Sequence, residues 1–355
     1  MSTKTLLAAS ASMALLCTGA ASADALTIVG WGGSLGEAQK QAIENPFAKE
    51  TGTTINSVSY NGGLAEVKIQ VQTDAVSWDI VDAEMTDAVL GCDEGILEEI
   101  SASDLAPGAG GQTPEADFIA DAITECGVAS YVWSNVVAFD TSKFPQGGPQ
   151  TIADFFDTTA FPGKRGLRKN PRANLEWALM ADGVPVDEIY AALETDEGVA
   201  RAFAKLDTIK SDVIWWDAGA QPPQLLADGE VAMTSAYNGR LYNAIVKEGQ
   251  PFEIIWGGQV WDYGVYVIPA NSPNKAKAME FLRFATAPEQ LAELTKYISY
   301  GPARKSALDL VSAETQAQLP TSDQNFKGSL RQSADFWGEY GDELSERFNA
   351  WLLVK

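Results

Sequence analysis

The 355-residue chain has no histidine. That absence removes Ser-His-Asp and Cys-His nucleophilic pairs, together with any zinc or iron centre built on imidazole ligands. Carboxylate-only mechanisms, Ser-Lys pairs and cofactor-borne chemistry stay open. Basic residues are also scarce: 25 Lys and Arg stand against 48 Asp and Glu, a net charge of −23. A surface of that sign repels nucleic acid and anionic lipid, so neither is expected as a partner. No metal or cofactor is expected. Cysteine is limited to three positions. Long apolar runs are missing too, because nothing after the N-terminus approaches the roughly 20 residues that a membrane-spanning helix needs.

What is present begins with export. Lys4 precedes an apolar stretch from Leu6 to Leu16, which is closed by Ala21, Ser22 and Ala23 in an A-x-A-like pattern. This reads as a secretory signal peptide over residues 1–23, with Asp24 as the new N-terminus. Ala14, Leu15 and Leu16 before Cys17 offer no small residue next to the cysteine, so no lipid anchor is expected. Export removes Cys17 and leaves Cys92 and Cys126. In an oxidising compartment the two suggest one disulfide, worth about 3 kcal/mol; two separate buried thiols are the alternative.

The pattern along the chain alternates short strands and helices. Leu26–Gly30 is strand-like and Trp31, Gly32, Gly33 and Ser34 turn from it. A helix follows over Glu37–Lys49, with Gly52 suited to its C-terminal stop. Thr54–Tyr60 reads as a strand, Ala65–Gln72 as a helix and Trp78–Val81 as a buried strand, an order that favours an α/β domain with a largely parallel sheet. Gly127–Phe139, Val213–Trp216, Val231–Thr234 and Tyr263–Pro269 read as further strands. Helices are expected from a cap at Thr151, and over Asn174–Met180, Val186–Leu193, Gly198–Ile209, Lys275–Ala285 and Pro288–Tyr297. No Gly, Ser and Pro-rich linker divides the chain, so two lobes would be joined by segments that cross more than once.

Several motifs, in order, resemble those of solute-binding proteins of bacterial ABC importers. Phe47 to Gly52 fits F-x-x-x-T-G, and Trp78-Asp79-Ile80-Val81 fits (Y/W)-D-(L/V)-V. Gly95 to Ile100, Gly229-Glu230-Val231-Ala232-Met233 and Ile268-Pro269 through Phe281 fit three more, and Ile298-Ser299-Tyr300-Gly301-Pro302 a last turn. The branch resembled is the spermidine/putrescine-binding type. The resemblance implies a two-lobed periplasmic-binding-protein fold of type II, α/β in class, each lobe a mixed, mostly parallel sheet flanked by helices. It places residues 24–138 plus 262–308 in lobe 1, residues 139–261 plus 309–355 in lobe 2, and the ligand in the cleft between them. It further implies a monomer in the periplasm that hands a small amine to a membrane permease and performs no catalysis.

A polyamine site needs carboxylates for ammonium groups and aromatic faces along the methylene stem. By resemblance Trp31, Tyr237, Trp261 and Tyr300 supply the aromatics, with Ser34 in the first turn. Trp31 could equally be a core residue of that turn. Glu84 and Asp82 lie at the exit of a parallel strand, the end where open α/β sheets bind ligands; Asp82 could instead cap the next helix. Trp261 and Asp262 fit an aromatic-plus-aspartate pair, but the spacing to Pro269 is one residue long, so either Asp262 or Tyr263 would face the cleft. Trp133 and the Trp215-Trp216-Asp217 run suit a core as readily as a site. The chain also departs from the polyamine pattern. Asn170 and Ala173 stand where two carboxylates are expected, and Gly32-Gly33 replaces an acid-containing turn. Lys164, Arg165, Arg168, Lys169 and Arg172 read as a solvated basic face, the alternative being that Arg172 joins Arg240 in holding an acid. The ligand would then be zwitterionic or anionic, such as an amino-acid derivative or aminophosphonate. A secreted carboxylate-type hydrolase is the rival from another class, and would show two carboxylates facing each other across the cleft.

Overall fold

The computed structural model describes residues 25–354; the signal peptide expected over 1–23 lies outside the described residues. Ten strands form one continuous sheet: β1 (Ala25–Gly30), β2 (Thr54–Ser59), β3 (Ile80–Glu84), β4 (Gly127–Asp140), β5 (Arg165–Arg168), β6 (Val213–Trp216), β7 (Met233–Tyr237), β8 (Phe252–Val267), β9 (Gly301–Pro302) and β10 (Leu330–Arg331). Their order is β2-β1-β3-β8-β4-β7-β5-β6, with β9 beside β4 and β10 beside β8.

The two long strands hold the molecule together. β4 is buried along its whole length. It pairs antiparallel with β8 from Gly127 opposite Val267 to Asp140 opposite Phe252, with irregularities near Ala129–Tyr131 and Asn135–Val137. On one flank β3 joins β8, and β1 runs parallel to both β2 and β3. On the other flank β7 joins β4, and β5 runs parallel to both β7 and β6. Each end is therefore a small, mostly parallel sheet, as β-rich runs separated by helices dictate. The apolar core divides accordingly. One cluster packs Val29, Val81, Val128, Tyr266 and Phe281. Another packs Val137, Trp177, Met233 and Ile255 against Phe336, Trp337 and Phe348 of the C-terminal helix Ala334–Leu353.

Local chemistry explains the element ends. Gly52 stops the helix Asn45–Thr51 at φ 73°, a conformation costly for a residue with a Cβ. Thr151 and Asp154 cap each other at the start of Ile152–Phe156. Cys92, on the helix Met85–Asp93, is bonded to Cys126 just before β4. The main departure from expectation is β8, which begins at Phe252 rather than Tyr263. Gly257, Gly258 and the polar Glu253 and Gln259 interrupt its apolar pattern, and the burial that compensates comes from β4 across the sheet.

Candidate functional site

A cavity of about 200 Å³ opens where the two halves meet. Its walls come from the carboxyl ends of the parallel strands on both sides, the position at which such sheets leave room for ligands. From one half come Trp31 after β1, Tyr60 and Asn61 after β2, and Glu84 at the end of β3. The other half contributes Arg168 at the end of β5, Asp217 to Ala220 after β6, Tyr237 at the end of β7, and Arg240. Tyr131 and Trp133 of β4 form the floor with Tyr300.

Six aromatic rings line this space, and they support one another. Trp31 and Tyr60 lie 5.2 Å apart with tilted planes. Tyr131 stacks on Tyr300 at 5.1 Å and 17°. Trp133 meets Tyr237 edge-on at 5.5 Å. Burial pushes the Tyr237 and Tyr300 hydroxyls above the ordinary phenol value, so both stay neutral.

The charges are distributed unevenly. Glu84 Oε2 is bound by Arg172 Nη1 at 2.5 Å, a pair that joins the two halves, and Arg172 lies 5.5 Å from the Trp337 ring centre. Asp217 sits exposed at the mouth. The Arg168 guanidinium rests 5.8 Å over the Tyr237 ring. Arg240 reaches the opposite wall, where a Cβ on Gly33 would come within 2.2 Å of its Nη1. Gly33, at φ 55°, provides that space. Among the described residues neither Arg168 nor Arg240 makes an ion pair or hydrogen bond with its guanidinium, although both line the cavity and Glu84 and Asp217 attract Arg168 from further off.

Five of the residues expected at the cleft thus line one cavity: Trp31, Glu84, Tyr237, Arg240 and Tyr300. The others lie elsewhere. The Ser34 hydroxyl is buried without a hydrogen-bond partner and does not reach the lining. Asp82 neither lines this cavity nor caps the following helix, whose first cap is Glu84. It is buried behind the wall, accepting from Gln39 at 2.7 Å and from Tyr131 at 3.0 Å. Burial lifts its carboxyl to about 7 against the opposing donation of Gln39, Tyr131 and Trp31.

Neither Asp262 nor Tyr263 lines this cavity. Asp262 is fully buried and accepts from the Tyr263 amide at 2.8 Å and Gln332 at 3.3 Å; burial lifts it to about 7. The Tyr263 hydroxyl donates to the Ala120 carbonyl at 2.7 Å. Trp261 packs on Phe326 and Tyr263, with β10 paired alongside. The register sets Trp261, Asp262 and Tyr263 opposite Ser134, Trp133 and Val132, level with the cavity floor, but each is taken up by the partners just named.

The solvated basic face also needs correction. Arg165 is completely buried, donating to the carbonyls of Phe155, Gly163 and Asp157. Arg168 and Arg172 point into the cleft region, and only Lys164 and Lys169 are exposed. Asn170 accepts from the Arg172 amide at 2.9 Å and Ala173 is buried, so neither lines the cavity. Tyr60, Asn61 and Tyr131 were not foreseen. The one available signal is position: Tyr60 directly follows β2, as Trp31 directly follows its neighbour β1.

A family model described as bacterial extracellular solute-binding protein matches residues 42–321. The γ-aminobutyric acid-binding protein of Pseudomonas aeruginosa is 43% identical over 339 residues, 96% of this chain and 94% of that protein. The spermidine/putrescine-binding periplasmic protein of Salmonella typhimurium is 28% identical over 129 residues, only 35% of this chain and 36% of that one. Among solved structures, a GABA receptor superposes with a TM-score of 0.82 at 32% identity, covering 94% of this chain and 98% of its own. The chain belongs to the bacterial extracellular solute-binding protein family.

Proposed function

We propose that this chain is the periplasmic binding component of an ATP-driven importer, and that its cavity takes a small ω-amino acid of the γ-aminobutyrate (GABA) kind. The observation that carries the ligand class is the pair Arg168 and Arg240, two guanidiniums lining the cavity with no ion pair or hydrogen bond among the described residues, although Glu84 and Asp217 attract Arg168 from further off. A guanidinium whose donors lack acceptors is completed by a ligand carboxylate, the group that takes two of its hydrogens at once. The aromatic walls suit a short methylene stem and the ammonium that follows it, since a cation over a ring contributes about 0.5–2 kcal/mol. The second oxygen of Glu84 and the Asp217 carboxylate can accept the ammonium hydrogens. The γ-aminobutyric acid-binding relative supports the same reading.

A polyamine, which the aromatics and Glu84 also suit, would set its ammonium groups beside two guanidiniums, and Glu84 already answers Arg172. Like charges brought together away from water repel by several kcal/mol. We also propose residues 24–138 with 262–308 and residues 139–261 with 309–355 as the two lobes that close over ligand, in a monomer that delivers to its membrane permease without turnover.

A thermal-shift panel tests the ligand class. A ligand that binds only the folded chain stabilises it by about 2.7 kcal/mol at a hundredfold excess over Kd. GABA and its neighbours in chain length should raise the melting temperature, while putrescine and spermidine should not. A shift with the diamines and none with the amino acids rejects the proposal.

A further inference from the structure

Behind the β1 turn lies a second cavity of about 70 Å³, separated from the ligand cavity by the buried Asp82 carboxylate. On the ligand side Tyr131 donates to both Asp82 oxygens at 3.0 Å. On the far side Gln39 donates at 2.7 Å, and Asp82 itself lines the second cavity with Gln39, Glu44 and Tyr266. Tyr60 adds a hydrogen bond from its hydroxyl to the Asp82 carbonyl at 2.7 Å. Of the ligand cavity's aromatics, Tyr131 and, through its stack on Tyr131, Tyr300 therefore depend on the Asp82 carboxylate, while Tyr60 is held by the Asp82 backbone.

We propose that Asp82 is a positioning residue whose charged form orders the aromatic wall of the ligand cavity, and that its protonation by way of the second cavity weakens ligand binding on mild acidification. An ionised carboxylate accepts from Gln39 and Tyr131 together. A protonated one keeps a single full acceptor oxygen and donates a hydrogen of its own, so Tyr131 can no longer donate to both oxygens and its hydroxyl must reorient. Burial places the change near neutrality, at about 7. The groups facing Asp82 from each packed element are Tyr60, Tyr131, Tyr266 and Tyr300, all pushed up by burial and by Asp82 itself. Glu44, Glu37 and Lys40 share the second cavity, where Glu44 is raised by burial. Asp87, lifted to about 6 by burial and by Glu84, lies beyond the ligand-side wall.

The inference rests on the proposed ligand for one readout and is independent of it for the other. With GABA as probe, calorimetry on the wild-type chain should show Kd weakening roughly tenfold between about pH 8 and pH 6, the loss of one charge-assisted hydrogen bond. In Asp82→Asn, which leaves Glu84 and Asp87 intact, Kd should be weak and nearly independent of pH. In the ligand-free chain the aromatic circular dichroism should titrate with a midpoint of about 7 in the wild type, and the amplitude should drop in Asp82→Asn to the part that Glu176 and Asp262 contribute. A wild-type pH profile retained in Asp82→Asn, or a flat wild-type dichroism across this range, overturns the proposal. Should Asp82→Asn fail to fold, Tyr131→Phe cuts the same link from the other end and should shrink the pH amplitude; an undiminished amplitude overturns it equally. If GABA binds at no pH, the ligand proposal fails while the dichroism still decides the role of Asp82.

Discussion

At the scale of single residues, the account turns on two arginines and a glycine. Arg168 and Arg240 line the cavity without acceptors among the described residues, so each should contribute to holding a ligand carboxylate. A hydrogen bond to a charged group is worth about 1.5–3 kcal/mol. Arg168→Gln and Arg240→Gln should therefore each weaken GABA binding by roughly 10- to 150-fold in calorimetry while leaving the melting temperature of the empty chain nearly unchanged. Gly33→Ala should act on the same group, because its Cβ would meet Arg240 Nη1 at 2.2 Å. Sequence made part of this readable. Trp31, Glu84 and Tyr237 each mark the end of a strand in a parallel array, and strand ends are where the cavity forms. Gly33 is visible as a departure from the polyamine pattern, but only the approach of Arg240 explains it. Arg168 is hidden because it sits in a basic run that looks solvated, and Tyr131 because every residue of its strand is buried.

At the scale of elements, the two halves are tied by continuous strands and by a side-chain pair. β4 and β8 run through both core clusters, which makes them the natural axis of any opening motion. Glu84, at the end of β3, and Arg172, before the helix Asn174–Ala181, join across the cleft at 2.5 Å with side chains 12% and 23% exposed. Removing one member of such a pair leaves a poorly hydrated charge behind. Glu84→Gln should therefore disfavour the closed arrangement, with the affinity loss carried mainly by faster release in stopped-flow tryptophan fluorescence. An unchanged dissociation rate would assign the pair no part in closure. The order of strands and helices was largely legible from β-rich runs, glycine stops and the Thr151 cap. The extent of β8 was not, because its first half relies on pairing with β4 rather than on its own pattern. Trp261, Asp262 and Tyr263 lie level with the cavity floor in that pairing, and their absence from the lining follows from local partners, Phe326, Gln332 and the Ala120 carbonyl, that no sequence pattern marks.

At the scale of the whole molecule, acidic excess and buried carboxylates act in the same direction. Asp82, Glu176 and Asp262 are lifted by burial to about 7, and Asp87 to about 6 by burial and by Glu84. A carboxyl raised in the folded chain binds more protons there than in the unfolded chain between its two pKa values. Stability therefore falls as pH rises through that interval and is regained on acidification. The net charge of −23 adds repulsion that also eases as carboxylates protonate. The melting temperature of the ligand-free chain should accordingly rise from about pH 8 to about pH 5.5 in scanning calorimetry. A flat profile over that range would mean these carboxyls titrate as exposed groups do, and a fall would contradict the account. The opposite pH trends expected for stability and for ligand affinity separate the buried scaffold from the site it holds. The claim at the centre is that one cavity reads two opposite charges on one short ligand. Titration calorimetry with GABA, butyrate and butylamine, matched in length but each half-analogue lacking one charge, tests it most directly. GABA should bind saturably at one site per chain with both half-analogues at least tenfold weaker, whereas butylamine binding as tightly as GABA would contradict the account.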